Sequence, residues 1–128
     1  MRKAAKDGHT RRENQTTQPL REHRVFNNSA VVSEGWYPVC KSSHLKPGGA
    51  DSFLISYQRV AVFRSHDGEV AAIDAFCPHM GADLGNGTVV DGRLQCYFHQ
   101  WCYGKSGALE KVRCGDMPKN VGVQAWPV

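Results

Sequence analysis

Two short segments that each contain one cysteine and one histidine constrain this sequence more than any other feature. The first is C-P-H at residues 77–79 and the second is C-Y-F-H at residues 96–99, with sixteen residues between them. Thiolates and imidazoles are the side chains that hold soft and borderline metals in proteins. The pattern therefore predicts a metal centre that joins two loops, with Cys77, His79, Cys96 and His99 as ligands.

Two kinds of metal centre use two Cys and two His ligands. In one, two thiolates hold one iron of a [2Fe-2S] cluster and two imidazoles hold the other. In the other, a single zinc ion takes all four donors in a tetrahedron. Zinc fingers usually group the Cys pair first and the His pair second, whereas each segment here supplies one of each. This order favours the [2Fe-2S] cluster and leaves a zinc-stabilised binding module as the weaker alternative.

The residues around the two motifs resemble a known family. C-P-H-M-G-A-D-L-G at 77–85 and C-Y-F-H-Q-W at 96–101 resemble the cluster loops of the Rieske domain of Rieske non-haem iron oxygenases. G-W-Y-P-V at 35–39 resembles the first strand of those domains. V-Q-A-W-P at 123–127 resembles a later segment of the steroid-acting branch, which includes cholesterol 7-desaturases and ketosteroid hydroxylases. The resemblance covers about residues 33–128 and implies electron transfer through a Rieske-type cluster.

The resemblance also implies differences from the respiratory branch of the same superfamily. Respiratory proteins carry an additional Cys in each loop, joined as a disulfide, at positions that here hold Ala82 and Phe98. They also carry a Ser that donates to a cluster sulfur where this chain has Trp101, while Tyr103 occupies the position of a second donor. A lost donor leaves negative charge on the sulfurs less stabilised, so a low reduction potential is expected.

Composition and strand patterns predict an all-β fold. Thirteen Gly and six Pro in 128 residues indicate many turns. Strand-like segments separated by turn sequences occur at residues 36–40, 53–57, 59–64, 69–74, 88–90 and 93–95. Together with the resemblance, this indicates a Rieske-type antiparallel β-sandwich with a two-loop cluster-binding subdomain. Each cluster loop is expected to follow directly on a strand, which would give the ligands a rigid base.

The net charge of +4 is concentrated at the N-terminus, where residues 1–24 hold seven Lys or Arg and three Asp or Glu. This segment has too few apolar residues to offset the entropy of ordering. We expect residues 1–28 to be a disordered basic leader and residues 29–128 to be the Rieske domain. A basic leader could contact nucleic acid, but the interleaved acidic residues favour a solvated leader and no nucleic-acid partner.

Neither a transmembrane helix nor a signal peptide is indicated by the sequence, so we expect a cytoplasmic protein. Cys40, Cys102 and Cys114 lack the spacing of a disulfide scaffold, which fits a reducing compartment. We expect these three cysteines to be small buried residues.

Other polar residues are expected to have ordinary roles. His44 and His66 lie in predicted loops and are expected at the surface. Asp83 is expected to cap a turn beside the first loop.

The sequence carries only part of the apparatus of a Rieske oxygenase. Such enzymes react oxygen at a mononuclear iron held by two His and one carboxylate, and no Asp or Glu here is followed by two His at the family's spacing. We assign no catalytic residue and expect an oxidoreductase component that is not catalytically complete alone.

Two roles for such a component remain open. In the first, the chain is the Rieske domain of an oxygenase, takes electrons from a reductase and passes them to a mononuclear iron site absent from this chain. In the second, it is a free-standing Rieske ferredoxin that shuttles electrons between a reductase and an oxygenase. Steroid-branch proteins continue beyond the Trp-Pro segment with another strand, whereas this sequence stops at Val128. Free-standing ferredoxins also seldom begin with a long polar leader, so we expect the first role.

Overall fold

The computed structural model describes residues 34–128, so the expected leader at residues 1–28 lies outside the described residues. The described part forms eight strands, β1 to β8, and one 3₁₀ turn at Leu84–Asn86. The strands are Ala50–Ile55, Gln58–Arg64, Val70–Asp74, Thr88–Val90, Arg93–Gln95, Cys102–Tyr103, Leu109–Lys111 and Ala125–Trp126. No helix within residues 34–128 is long and apolar enough to cross a membrane.

The first sheet contains strands β1-β2-β3-β8 in that order, and all neighbours are antiparallel. Val60 of β2 pairs with Asp74 at the end of β3, and Ala72 of β3 pairs with Trp126 of β8. Alternate residues of β2 point to opposite faces, so Ala61 and Phe63 face one hydrophobic cluster while Val60 and Val62 face another.

The second sheet contains strands β4-β5-β6-β7 in sequence order, again with antiparallel neighbours. Asp91 and Gly92 form the turn between β4 and β5, and both have positive φ angles of 50° and 75°. Such angles are typical of a tight hairpin turn, for which Asp-Gly is a favoured pair. The predicted strands at 88–90 and 93–95 are therefore confirmed to the residue.

The main core lies between the two sheets. It combines residues of both sheets with two cysteines of the predicted metal centre; its buried members include Ala61, Phe63, Ile73, Cys77, Leu84, Leu94, Cys96 and Tyr103. A smaller cluster of Leu45, Val60, Val62 and Ala72 covers the outer face of the first sheet. The all-β architecture of two antiparallel sheets is thus confirmed, and the base of the predicted metal centre is part of the core.

The predicted strand at residues 36–40 is wrong. These residues form no strand, and Trp36 is 80% exposed. Pro38 cannot donate a backbone hydrogen bond to a sheet. A short apolar segment also forms a strand only where a neighbouring strand is available to pair with it. The strands predicted at residues 53–57, 59–64 and 69–74 are present, with shifts of up to three residues at their ends.

Candidate metal centre

The first loop, residues 77–82, follows β3 and is closed by its own backbone. The N–H of Cys77 donates to the carbonyl of Ala82 at 2.9 Å, and the N–H of Gly81 donates to the carbonyl of Cys77 at 2.8 Å. Gly81 has a φ of 73°, a left-handed conformation that glycine adopts without strain. The loop therefore turns the chain back within six residues and holds Cys77 at its base.

The second loop, residues 96–101, follows β5 and closes with the same two hydrogen bonds. The N–H of Cys96 donates to the carbonyl of Trp101 at 2.8 Å, and the N–H of Gln100 donates to the carbonyl of Cys96 at 3.0 Å. Gln100 has a φ of 59°, so it takes the left-handed position that Gly81 fills in the first loop. The second loop thus follows directly on β5, as the sequence predicted, and two residues separate the first loop from the end of β3.

The two cysteines lie side by side at the bottom of the site. Cys77 is 2% exposed and Cys96 is 1% exposed, and the two thiols lie close enough for each to feel the charge of the other. Burial raises the pKa of Cys96 and the nearby Cys77 adds to the rise, although backbone N–H groups of Phe98 and His99 donate to its sulfur and oppose it. A thiol pair in such surroundings carries negative charge more readily once a metal ion compensates it.

Tyr103 provides a further polar contact to the buried thiols. Its hydroxyl lies 3.0 Å from Sγ of Cys77, and its side chain is fully buried. Burial and the contact with Cys77 raise the pKa of Tyr103 well above its usual value. The hydroxyl therefore keeps its proton and can donate it to the sulfur of a Cys77 thiolate.

The two histidines lie at the surface above the thiols. The ring centroids of His79 and His99 are 4.6 Å apart, with 70° between the ring planes. His79 also lies flat against the indole of Trp101, and the ring of Phe98 lies 4.0 Å from that of His99. Both histidines are exposed, so the site has a buried thiol pair and an exposed imidazole pair.

This arrangement of the donors fits a binuclear centre. Two thiolates suit one iron and two imidazoles suit the other, and the N–H and O–H groups around the sulfurs would stabilise their negative charge. A tetrahedral zinc site instead needs all four donors around one ion. Within residues 34–128, no group of three or more His, Cys, Asp or Glu side chains is placed to share a single metal ion.

A shallow recess opens beside the exposed imidazoles. Its volume is about 320 Å³, and it is lined by His79, Phe98, His99, Gln100, Trp101, Arg113 and Cys114. Around the same tip, Met80, Tyr97 and Phe98 are 65%, 58% and 53% exposed. The surface next to the imidazoles is therefore largely apolar, with Arg113 as the charged residue of the recess.

Asp83 caps the turn that follows the first loop, as the sequence predicted. Its side chain accepts a hydrogen bond from the N–H of Gly85 at 2.9 Å. It also accepts hydrogen bonds from Arg59 and Ser52, which the sequence analysis did not single out. Arg59 lies on the same face of β2 as the buried Ala61 and Phe63. A charged residue on a face that packs into the core needs a charged partner, and this was the sequence signal that could have identified Arg59.

The spare cysteines differ from the expectation. Cys102 is buried, as expected, but Cys40 and Cys114 are exposed. Both exposed cysteines lie in irregular segments in which nearby valines, Val39 and Val112, pack against the core clusters while the cysteines themselves do not. A cysteine is buried only where the backbone directs its side chain toward the core, and these irregular segments do not do so.

The two histidines of the predicted loops lie at the surface, as expected. His44 additionally lies 3.0 Å from the carboxylate of Asp51. His66 packs against Gly48, where a Cβ atom would lie 2.4 Å from its ring.

Comparisons with known proteins agree with this geometry. The sequence model of the Rieske [2Fe-2S] domain family matches residues 35–127. The cholesterol 7-desaturase of Bombyx mori is 35% identical over 96 residues, which are 73% of this chain and 21% of that protein. The oxygenase subunit of 3-chlorobenzoate-3,4-dioxygenase from Comamonas testosteroni is 35% identical over 69% of this chain and 19% of its own length.

Solved structures show the same similarity. The crystal structure of dicamba monooxygenase with non-haem iron and dicamba superimposes with a TM-score of 0.63 and 29% sequence identity, covering 73% of this chain and 29% of that one. The chain spans about a fifth of the length of the curated relatives it matches.

Proposed function

Because the chain belongs to the Rieske [2Fe-2S] domain family, we propose that Cys77 and Cys96 hold one iron of its cluster and that His79 and His99 hold the other. The cluster, when bound, accepts and gives up one electron at a time. The observation that carries the proposal is the pairing of the four side chains, with the thiols together in the core and the imidazoles together at the surface.

The chain's residues have separate tasks in this function. The fully buried Tyr103 hydroxyl and the backbone N–H groups of Phe98 and His99 stabilise charge on the two cysteine sulfurs. Trp101 covers one face of His79 and keeps water from it. His79 and His99 are exposed, so the ring nitrogens that do not bind iron would lie at the surface, where an electron can pass to or from a partner over a short distance.

We further propose that the chain serves as the iron-sulfur domain of a Rieske oxygenase. In this role it takes electrons from a reductase and delivers them to a mononuclear non-haem iron site outside this chain. The similarity to cholesterol 7-desaturases supports a steroid-type oxygenase, although the chlorobenzoate dioxygenase subunit is equally identical over its aligned residues. The alternative is a free-standing Rieske ferredoxin, and the reading frame beyond Val128 discriminates the two: a two-His, one-carboxylate site there supports the oxygenase.

Exposed apolar residues gather at the end of the domain that carries the imidazoles. Met80, Tyr97 and Phe98 surround the tip. Leu54 near the end of β1 and Tyr57 in the turn between β1 and β2 are 66% and 70% exposed. That turn lies at the same end of the sheet as the first loop, because β2 begins where β3 ends. We propose that a redox partner docks at this end through a mostly uncharged contact.

A reducing compartment such as the cytoplasm suits this assignment. None of the five cysteines forms a disulfide, and Cys40 and Cys114 are exposed thiols outside the proposed cluster site. Exposed free thiols are typical of proteins that remain in a reducing environment.

Metal and sulfide analysis tests the proposal. Protein purified without oxygen should contain about two irons and two acid-labile sulfides per chain. Replacing His79 or His99 by Ala should abolish the Rieske-type electron paramagnetic resonance (EPR) signal of the reduced protein, whereas His44→Ala and His66→Ala should leave it intact. One zinc and no sulfide would instead support the zinc-stabilised module.

The reduction potential tests the oxygenase role. With Trp101 in place of the serine donor, the midpoint potential should lie near the low end of the Rieske range, around −150 mV. A potential well above zero would contradict the assignment to an oxygenase.

A further inference from the structure

We propose that Arg59 is a positioning residue for the first loop. This one residue forms hydrogen bonds both to the segment that precedes the loop and to the segment that follows it. The proposal rests on the proposed function, since the first loop carries Cys77 and His79. Arg59 itself belongs to β2 and lies outside both loops.

Arg59 contacts the entering chain through its backbone. Its carbonyl accepts a hydrogen bond from the N–H of Ala75 at 3.0 Å, two residues before Cys77. It contacts the leaving chain through its side chain, because its Nε donates to Oδ2 of Asp83 at 2.6 Å. Asp83 directly follows Ala82, the residue whose carbonyl closes the loop.

The contact between Arg59 and Asp83 is part of a closed network. Ser52 of β1 donates its hydroxyl to Asp83 at 2.9 Å and accepts from the second guanidinium nitrogen of Arg59 at 3.0 Å. The Asp83 side chain is only 15% exposed, so these charge-assisted hydrogen bonds are partly shielded from water.

The turn after the loop also packs directly on the neighbouring strand. A Cβ atom on Gly85 would lie 2.5 Å from the backbone nitrogen of Ser52. The leaving chain therefore has little room to shift while Arg59, Ser52 and Asp83 hold together.

The second loop has both ends held by strand pairing and does not need a contact of this kind. Its flanking residues Gln95 and Cys102 pair directly with each other in the β5–β6 hairpin. The first loop connects β3 to a 3₁₀ turn, and its two ends are joined by an isolated bridge between Phe76 and Asp83 and by the hydrogen bond from Leu84 to Ala75. Arg59 thus adds to this single bridge a constraint that the β5–β6 hairpin, with its two residue pairs, supplies for the second loop.

The chain offers a matched control for this ion pair. Nε of Arg93 donates to Oε2 of Glu110 at 2.6 Å, the same geometry as in the pair of Arg59 and Asp83. That pair joins β5 to the strand Leu109–Lys111 and contacts neither loop. Arg59→Met and Arg93→Met therefore remove the same type of interaction at two different places.

Hydrogen–deuterium exchange on the purified protein provides the first measurement. In Arg59→Met, exchange in residues 75–84 should be about tenfold faster, the size expected for the loss of a charge-assisted hydrogen bond in partly buried surroundings. Exchange in residues 95–102 should change less than twofold. Arg93→Met should leave residues 75–84 unchanged. Because exchange can be measured with or without bound iron, a wild-type protein that lacks a cluster refutes the proposed function without preventing this test.

The EPR spectrum of the reduced protein provides the second measurement. Arg59→Met should broaden the signal, since His79 would adopt a wider range of orientations, while Arg93→Met should leave it unchanged. Arg59→Lys keeps the charge but not the fork of donors, so it should restore part of the wild-type line width. A residue that merely stabilised the whole fold would not produce this pattern.

Asp83→Asn provides an independent route should Arg59→Met fail to fold. Asparagine can still cap the turn but loses the charge, and it should speed exchange in residues 75–84 as Arg59→Met does. The double variant should be no faster than either single variant, because both remove one interaction. Equal acceleration in both loops, no acceleration in the first loop, or an unchanged EPR line width would each overturn the proposal.

Discussion

The imidazole of His79 lies parallel to the indole of Trp101, with ring centroids 4.3 Å apart and 10° between the planes. His79 belongs to the first loop, whereas Trp101 ends the second. A side chain of one loop therefore fixes the orientation of a proposed ligand in the other. The two loops hold each other in place through this stack as well as through the buried thiols.

Removal of the stack should shorten the lifetime of the cluster. We expect Trp101→Leu to accelerate cluster loss in the presence of an iron chelator by about two- to tenfold, since a stacked aromatic pair contributes ~0.5–1.5 kcal/mol beyond its buried area. The decay of the visible absorbance measures this rate. Trp36→Leu is the control, because Trp36 is 80% exposed and belongs to neither loop. Equal rates in both variants would contradict a role for the stack.

The Tyr103 hydroxyl should raise the reduction potential. If its hydrogen bond to Sγ of Cys77 is ~1 kcal/mol stronger in the reduced state, Tyr103→Phe should lower the midpoint by about 40 mV, because 59 mV corresponds to a tenfold change for one electron. Protein-film voltammetry measures the shift. Tyr57→Phe changes an exposed tyrosine and should leave the potential unchanged. A midpoint that does not move in Tyr103→Phe would mean that the hydroxyl does not donate to the sulfur.

The equivalent left-handed positions in the two loops predict opposite effects of substitution. Gly81→Ala should destabilise the protein by about 1 kcal/mol, because alanine is strained at a positive φ. No atom outside residues 80–82 lies within 4 Å of the added Cβ, so backbone strain causes the loss. Gln100→Gly should stabilise the protein by up to about 1 kcal/mol for the converse reason. Thermal unfolding followed by circular dichroism measures both, and a loss of stability in Gln100→Gly would contradict the equivalence of the loops.

Local sequence patterns predicted much of this molecule. The four proposed ligands, the hairpin around Asp91 and the cap at Asp83 each depend on residues close together in the chain, so short motifs specify them. The strand predicted at residues 36–40 was wrong because strand formation depends on a pairing partner that a local pattern does not reveal.

Contacts between distant residues were beyond the sequence analysis. Arg59 and Asp83 are 24 residues apart, and their contact depends on how β2 and the first loop are placed in the fold. A period-two pattern assigns Arg59 to a face of its strand, but it does not say which carboxylate meets it. The stack of Trp101 on His79 depends in the same way on the relative position of two loops.

Acid should weaken the protein through Asp83. Burial raises the pKa of this carboxyl, but hydrogen bonds from Arg59, Gly85 and Ser52 outweigh it and lower the pKa below its usual value. Ionised Asp83 therefore contributes stability that is fully present above about pH 4, near the pKa in the unfolded chain. This contribution is lost as the pH falls through the lower pKa of the folded state.

The dependence on pH is measured by the midpoint of urea unfolding between pH 2 and pH 7. Asp83→Asn should be less stable than the wild type at pH 7 by about 1–2 kcal/mol, and the difference should shrink below about pH 4. Arg59→Met removes a group that lowers the pKa of Asp83. This variant should therefore lose the stability contributed by Asp83 at a higher pH than the wild type does. A difference between wild type and Asp83→Asn that stays constant with pH would contradict this role.

Electron transfer to a partner should depend on the apolar tip beside the imidazoles. Met80 follows His79 and is 65% exposed, so a carboxylate at this position would have to be buried without a partner in a mostly uncharged contact. We expect Met80→Glu to slow transfer to an oxygenase partner by about tenfold or more, with the absorption and EPR spectra of the cluster unchanged.

Val90→Glu is the control for this prediction. Val90 is also an exposed apolar residue, but it lies next to the turn between β4 and β5, at the opposite end of its sheet from the second loop. Stopped-flow measurement of the transfer rate distinguishes the two surfaces. If both variants transfer electrons at the wild-type rate, or if Val90→Glu is the slower one, the partner docks elsewhere on the domain.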